Sequence, residues 1–247
     1  MIKSVALAAV LAVAMTIASH AETLSVHGST TVSSAVLTPK KAQIEQSSGV
    51  TLEIVGNGSG RGLADLAAGK TKLAMISAPL AEVAGAIKSK GEALDDSKMQ
   101  AHPIGDARVA FVVHPSNPVK SLTAQQLTDI LSGKVKSWKD VGGADKPIVV
   151  IVETKGGGLR TMVEHELLNK GDVAANKREV PNATQIAKIV GQLDGALGIV
   201  GHATVTSEVV EVKSDKLIAQ PLILVTNGAP SPEIAKVIAA AKAAAGG

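Results

Sequence analysis

Three times along this chain a short apolar run ends in a turn of glycine, serine and threonine and then passes into an amphipathic stretch. Thr23 to Val26 leads into Gly28-Ser29-Thr30-Thr31-Val32. Val50 to Val55 leads into Gly56-Asn57-Gly58-Ser59-Gly60-Arg61-Gly62. Pro147 to Val152 leads into Thr154-Lys155-Gly156-Gly157-Gly158-Leu159-Arg160-Thr161. Runs this short have strand length, and a strand that turns into a helix again and again is the pattern of a sheet with helices on its faces. The fold class is therefore α/β. Helices are expected over Val32–Gln46, from Gly62 to Ala68, over Thr123–Ser132 with Ser121 or Thr123 as cap, from Leu159 to Leu168, over Gln185–Leu193, and from Pro232 to Ala245 just after Ser231. Further strands are expected at Leu73–Ile76, at Arg108–His114 before Pro115 and Pro118, and at Ala196–Val200, with an irregular strand-rich stretch over Val205–Val225. The strands and helices group into two α/β units, and 247 residues are enough to bury a core for both.

The three turns share a chemistry. The first N–H groups of a helix have no partner within the helix and carry the positive end of its dipole. Glycine lets a ligand approach that backbone, and hydroxyls add donors. Each turn alone is also what a helix cap requires. Three of them at the carboxyl ends of strands, spread over two units, point together to a ligand site for a small anion. Arg61 and Arg160 are the cations within the turns.

Residues 1–21 read as a secretory signal peptide: Lys3, an apolar run from Val5 to Ile17, and a small-residue ending at Ala21. The remainder is expected to be a soluble, exported chain. There is no cysteine, which excludes disulfides, thiolate metal sites and a cysteine nucleophile. Residues 1–21 carry one lysine and no acid, so the formal charge falls from +3 to +2 without them. With mixed charges, and with Phe111 and Trp138 as the aromatic residues, nucleic-acid binding by stacking is not expected.

Enzymatic signatures fail on spacing. Gly69-Lys70-Thr71 lacks a P-loop's first glycine, since Ala64 stands there, and the glycines from Gly56 meet Arg61 where a dinucleotide fingerprint needs its third. Asn57 stands two residues before Ser59, so no nucleophile elbow forms. Glu164-His165-Glu166 has no second histidine at helical spacing, and a solvated helix face is the expectation there. No catalytic residues, metal or cofactor are expected.

In addition to the turns, Ala74-Met75-Ile76-Ser77-Ala78-Pro79-Leu80, the run from Leu127 through Gly133-Lys134-Val135-Lys136-Ser137-Trp138-Lys139-Asp140, and Gly195-Ala196-Leu197-Gly198-Ile199-Val200 carry a resemblance over residues 23 to about 203. The chain resembles the periplasmic phosphate-binding proteins of ABC importers, within the type II solute-binding fold. That resemblance implies two lobes, each a mixed sheet flanked by helices: lobe 1 over 22–106 plus 201–247, lobe 2 over 107–200, and a hinge near 107–114 and 199–203. It implies a monomeric periplasmic binder that closes on a small solute and delivers it to an inner-membrane permease. It also places Thr31, the backbone of Val32, and Ser59 on ligand-contact positions. Together with the turns, the expected ligand set is Ser29, Thr30, Thr31, Val32, Asn57, Ser59, Arg61, Ser77, Gly157, Arg160 and Thr161.

The chain also departs from the family pattern. Ser77 stands where the family has an aspartate. Glu153, Lys155, Gly157 and Leu159 replace the arginine, aspartate, serine and threonine of its second-lobe loop. Each lost charged hydrogen bond is worth about 1.5–3 kcal/mol, so the departures weigh against phosphate itself. The alternative they open is a non-transport or sensory module for an organic or apolar ligand.

Overall fold

The computed structural model describes residues 23–174 and 176–246. The expected signal peptide lies outside the described residues. Ten strands form one curled sheet whose main path runs β2-β1-β3-β10-β4-β8-β6-β7.

The first half contains β1 (Thr23–Gly28), β2 (Thr51–Val55) and β3 (Leu73–Ile76), all parallel, as strands joined through helices must be. The helices α1 (Thr30–Val32), α2 (Lys41–Ser48), α3 (Ser59–Ala67) and α4 (Leu80–Lys88) connect and follow them. The long strand β4 (Met99–Val113) and the late strand β10 (Ala219–Asn227) close this half antiparallel, β10 lying between β3 and β4. Helix α8 (Pro232–Ala245), capped by Ser231, packs its Ile234, Val237 and Ala241 into the same core as Val26, Val32, Leu73 and Leu224.

The second half is built on β4's own continuation. Val109–Val113 pair antiparallel with β8 (Ala196–Gly201), which runs parallel to β6 (Val149–Glu153), and β6 runs parallel to β7 (Lys177–Val180). A side strand β9 (Val210–Ser214) pairs with β4 and with β5 (Ser121–Leu122). Helices α5 (Ala124–Leu131), α6 (Gly158–Leu168) and α7 (Ile186–Gln192) cover it. Trp138 is buried here, its indole N–H donating to the Gly195 carbonyl at 3.0 Å. Among the described residues no helix is long and apolar enough to cross a membrane.

Several expectations shift. The helix expected over Val32–Gln46 is broken: α1 runs into a π-helical turn, Ser33–Leu37, and α2 restarts at Lys41. Pro39 has no N–H to continue the helical ladder, and the backbone leaves the helical region at Lys40, with φ −107° and ψ 12°, before α2 starts. Helix α3 begins at Ser59, not Gly62. Helix α4, strand β7 and the Met99–Ala107 part of β4 lie outside the expected set. In β4, Pro103 and Gly105 interrupt the alternation, and the sheet absorbs them in a register shift opposite Leu222 and Ile223. Of the residues after 201, Val209, Val212 and Ile218 pack in the second half's core, not the first.

Candidate functional site

The first turn is fixed by close approach. Gly28 has φ +134°, and a Cβ there would collide with the Met75 carbonyl of β3. The Ser29 N–H donates to that carbonyl oxygen at 2.7 Å. Ser29 Oγ then caps α1, accepting from the N–H groups of Thr31 and Val32 at 3.2 Å each, and donates to Ser77 Oγ at 2.9 Å. Ser77 follows β3, so two neighbouring strand ends present a bonded pair of hydroxyls. The Val32 N–H expected for a ligand is thus taken by Ser29, and the Val32 side chain is core. Thr30, at 5% exposure, has a hydroxyl with no partner among the described residues.

The second turn is tied to the first through the Gly58 N–H, which donates to the Gly28 carbonyl at 2.7 Å. Gly62 lets α3 lie directly on β1, since a Cβ there would stand 2.5 Å from Gly28 Cα. Ser59 Oγ accepts from the Ser77 N–H at 3.3 Å. Gly58 has no side chain with which to cap α3. The Asn57 amide donates to Asp65 Oδ2 at 2.9 Å, beside His27 Nδ1 on the same oxygen. Burial alone would raise the Asp65 carboxyl, but the hydrogen bonds from His27 and Asn57 outweigh it and hold it below its ordinary range. Arg61 is exposed.

The third turn comes from the other half and meets the first two. A Cβ on Gly158, the first residue of α6, would collide with Ser77 Oγ and stand 2.6 Å from Ser59 Oγ. The start of α6 therefore lies directly against the serine cluster, and Gly60 faces the Gly156 carbonyl, 3.1 Å from where its own Cβ would be. Of the expected residues, the fold bonds Ser29, Ser59 and Ser77 together, keeps Thr30 and Thr31 on the turn that Ser29 caps, and sets Asn57 and Gly157 around one neighbouring recess.

Two residues of that turn are placed otherwise. Arg160 is 1% exposed and spends its guanidinium on carboxylates: Nε donates to Glu164 at 2.7 Å, Nη1 to Glu179 at 2.8 Å, and Nη2 to Asp172. Asp172 is held at about 2: burial opposes its charge, and its bonds to Glu164 and Arg160 prevail. The Thr161 hydroxyl donates to the Gly157 carbonyl at 2.8 Å. The anion position at the start of α6 is filled from within: Glu153 Oε2 accepts from the Leu159 N–H at 2.9 Å. Burial pushes the Glu153 carboxyl up to about 7, against the pull of the N–H groups of Leu159, Arg160 and Ala183 and of the Arg160 charge.

Gln220 is the residue that sequence reasoning missed. It is fully buried, and neither its amide nitrogen nor its oxygen has a partner among the described residues. It lies beside the first turn: a Cβ on Gly201 would stand 3.4 Å from Thr31 Oγ1 and 3.7 Å from Gln220 Nε2. The signal was a lone amide, ahead of Pro221, in an otherwise apolar run. Among the described residues no group of three or more histidines and acids is placed to hold a metal.

A PBP superfamily domain matches residues 14–240. This chain belongs to the PBP superfamily. The phosphate-binding protein PstS of Bacillus subtilis is 24% identical over 77% of the chain and 61% of its own length. That of Staphylococcus epidermidis is 33% identical over 51% of the chain and 38% of its own length. The chain thus spans well under two thirds of these curated relatives. Among solved structures, a putative phosphate ABC transporter substrate-binding protein with bound phosphate from Clostridium perfringens superposes with a TM-score of 0.71 at 24% identity, covering 87% of this chain and 91% of that one. The mixed sheets, the return strand β10 and the flanking helices are those of the periplasmic-binding-protein fold.

Proposed function

We propose that this chain is an exported solute-binding protein that captures a small anionic solute between the two halves of its sheet and serves an ABC importer. One observation carries the reading: the start of α6, from one half, rests on Ser59 and Ser77 of the other, where Ser29 joins them. Uncharged hydroxyls and helix N-termini from two movable bodies are what a releasable anion site needs. Relatives named as phosphate-binding proteins support the same reading. In it, the halves are lobes, Ser29, Thr30, Thr31, Asn57, Ser59, Arg61, Ser77 and Gly157 face the solute, and Arg160 supports them from behind. We set the return to lobe 1 at residues 218–219, because Ile218 packs with the second core and β10 begins at Ala219. The role is binding, not catalysis, by a monomer, and closure is a population shift toward the liganded state.

Titration calorimetry at low salt across phosphate, sulfate, arsenate and organic anions tests this. At least one should bind below millimolar and weaken about tenfold in Ser59→Ala, the loss of one hydrogen bond to a charged ligand. If none binds, the anion reading is wrong. Glu153, whose carboxyl already occupies the start of α6, favours a second reading: a sensory module for an organic or apolar ligand. Native mass spectrometry of protein purified from its own host would reveal such a ligand.

A further inference from the structure

The serine junction is tight. Ser29 and Ser77 bond to each other, Ser59 bonds to the Ser77 N–H, and Gly158 is packed against them. Directly beside it lies a cavity of about 480 Å³, walled by both halves. Its charged lining consists of Arg61, Lys70, Lys90 and Lys155 against Asp65 and Glu92. Asp65 is already bonded to His27 and Asn57, with Lys70 at 3.7 Å. Arg61, Lys90 and Lys155 make no salt bridge and no hydrogen bond among the described residues, and only Lys155 feels a carboxylate, Asp172, through space. The floor between them is bare backbone: a Cβ on Gly156 would stand 3.8 Å from Lys90 Nζ, and Gly60 faces the Gly156 carbonyl. Asn57 Oδ1, buried and without a partner, offers an acceptor on the same wall.

Three unpaired cations around one recess repel each other, and a matching anion would relieve that repulsion. A single tetrahedral ion does not need such a space, because pockets of about 300–1,000 Å³ hold ligands with several groups. We propose that the solute is an elongated polyanion with at least two acidic groups. One group sits at the serine junction and the other among Arg61, Lys90 and Lys155. The phosphate relatives' ligand would fill only the first of these places. This inference rests on the solute-binding reading above and narrows its ligand class.

Calorimetry at low salt with pyrophosphate and citrate, against orthophosphate and sulfate, tests it. At least one of the two polyanions should bind about tenfold more tightly than orthophosphate. The double variant Lys90→Gln/Lys155→Gln, whose melting curve checks that it is folded, should lose about tenfold for that polyanion. Its orthophosphate affinity should change by less than about twofold. Orthophosphate binding as tightly as both polyanions, or a double variant with unchanged polyanion affinity, overturns the inference and leaves the solute-binding reading standing. If no anion of the four binds, this inference falls, and the solute-binding reading stands or falls on the wider panel of anions above.

Discussion

Glu153 shows how far a single residue can redirect a site. Where the pattern this chain resembles has a cation, this chain has a buried carboxyl that takes the Leu159 N–H at the start of α6 for itself. Its proton is held up to about 7 in the folded chain, against an ordinary value of 4.5. Between those two values the folded state binds more protons than the unfolded one. The group's contribution to stability is therefore complete below 4.5 and lost as the pH rises to about 7. That loss is on the order of 3 kcal/mol, and Glu153→Gln should flatten it, as urea unfolding across the window would show. At this scale the sequence was informative where the chemistry is local: Ser29, Ser59 and Ser77 sit in recognisable turns and do converge. Arg160 was misleading because its acids, Asp172 and Glu179, lie far enough along the chain that only the fold brings them to it.

At the scale of elements, α6 is held by parts of the chain outside its own sequence. Its N-cap, Gly157, has no side chain to offer, so β6 supplies the cap through Glu153. Arg160 then anchors its first turns to Glu164 and, beyond the helix, to Asp172 and Glu179. Removing one partner of a buried ion network leaves the others unpaired, so Arg160→Ala should cost about 3–5 kcal/mol by chemical denaturation. The exposed cation Arg61 gives the contrasting case, and Arg61→Ala should leave stability within about 0.5 kcal/mol. Helices with local caps were legible in advance. Thr123 with Gln126 forms a reciprocal capping box on α5, and Ser231 with Pro232 starts α8. Elements whose reason is tertiary were not: β7 exists because β6 offers it an edge, and the early part of β4 because β10 pairs with it across a bulge.

At the scale of the whole molecule, the two halves meet through glycine. Gly158 leaves room for Ser77 and Ser59 to sit against the α6 backbone. Gly158→Ala puts a methyl group into that contact, so the halves should stay further apart and draw Met162 of α6 away from Leu63, Ile76 and Val83 of the first half. The expected result is a larger radius of gyration by small-angle scattering and about tenfold weaker anion binding. The melting temperature should fall as well, because Met162 then leaves a core it shares with the first half.

The sequence by itself determined the α/β class and the three turns, because strand length, helical period and turn chemistry act over a few residues. It also determined which hydroxyls stand at strand ends. Only the tertiary structure decided what those turns face. Long-range packing gave Arg160 to Asp172 and Glu179 and put Glu153 in the anion position of α6. It buried Gln220 beside Thr31, and it set Lys90 and Lys155, from opposite halves, around one recess. Those pairings are made by approach in space, where sequence separation carries no information about distance.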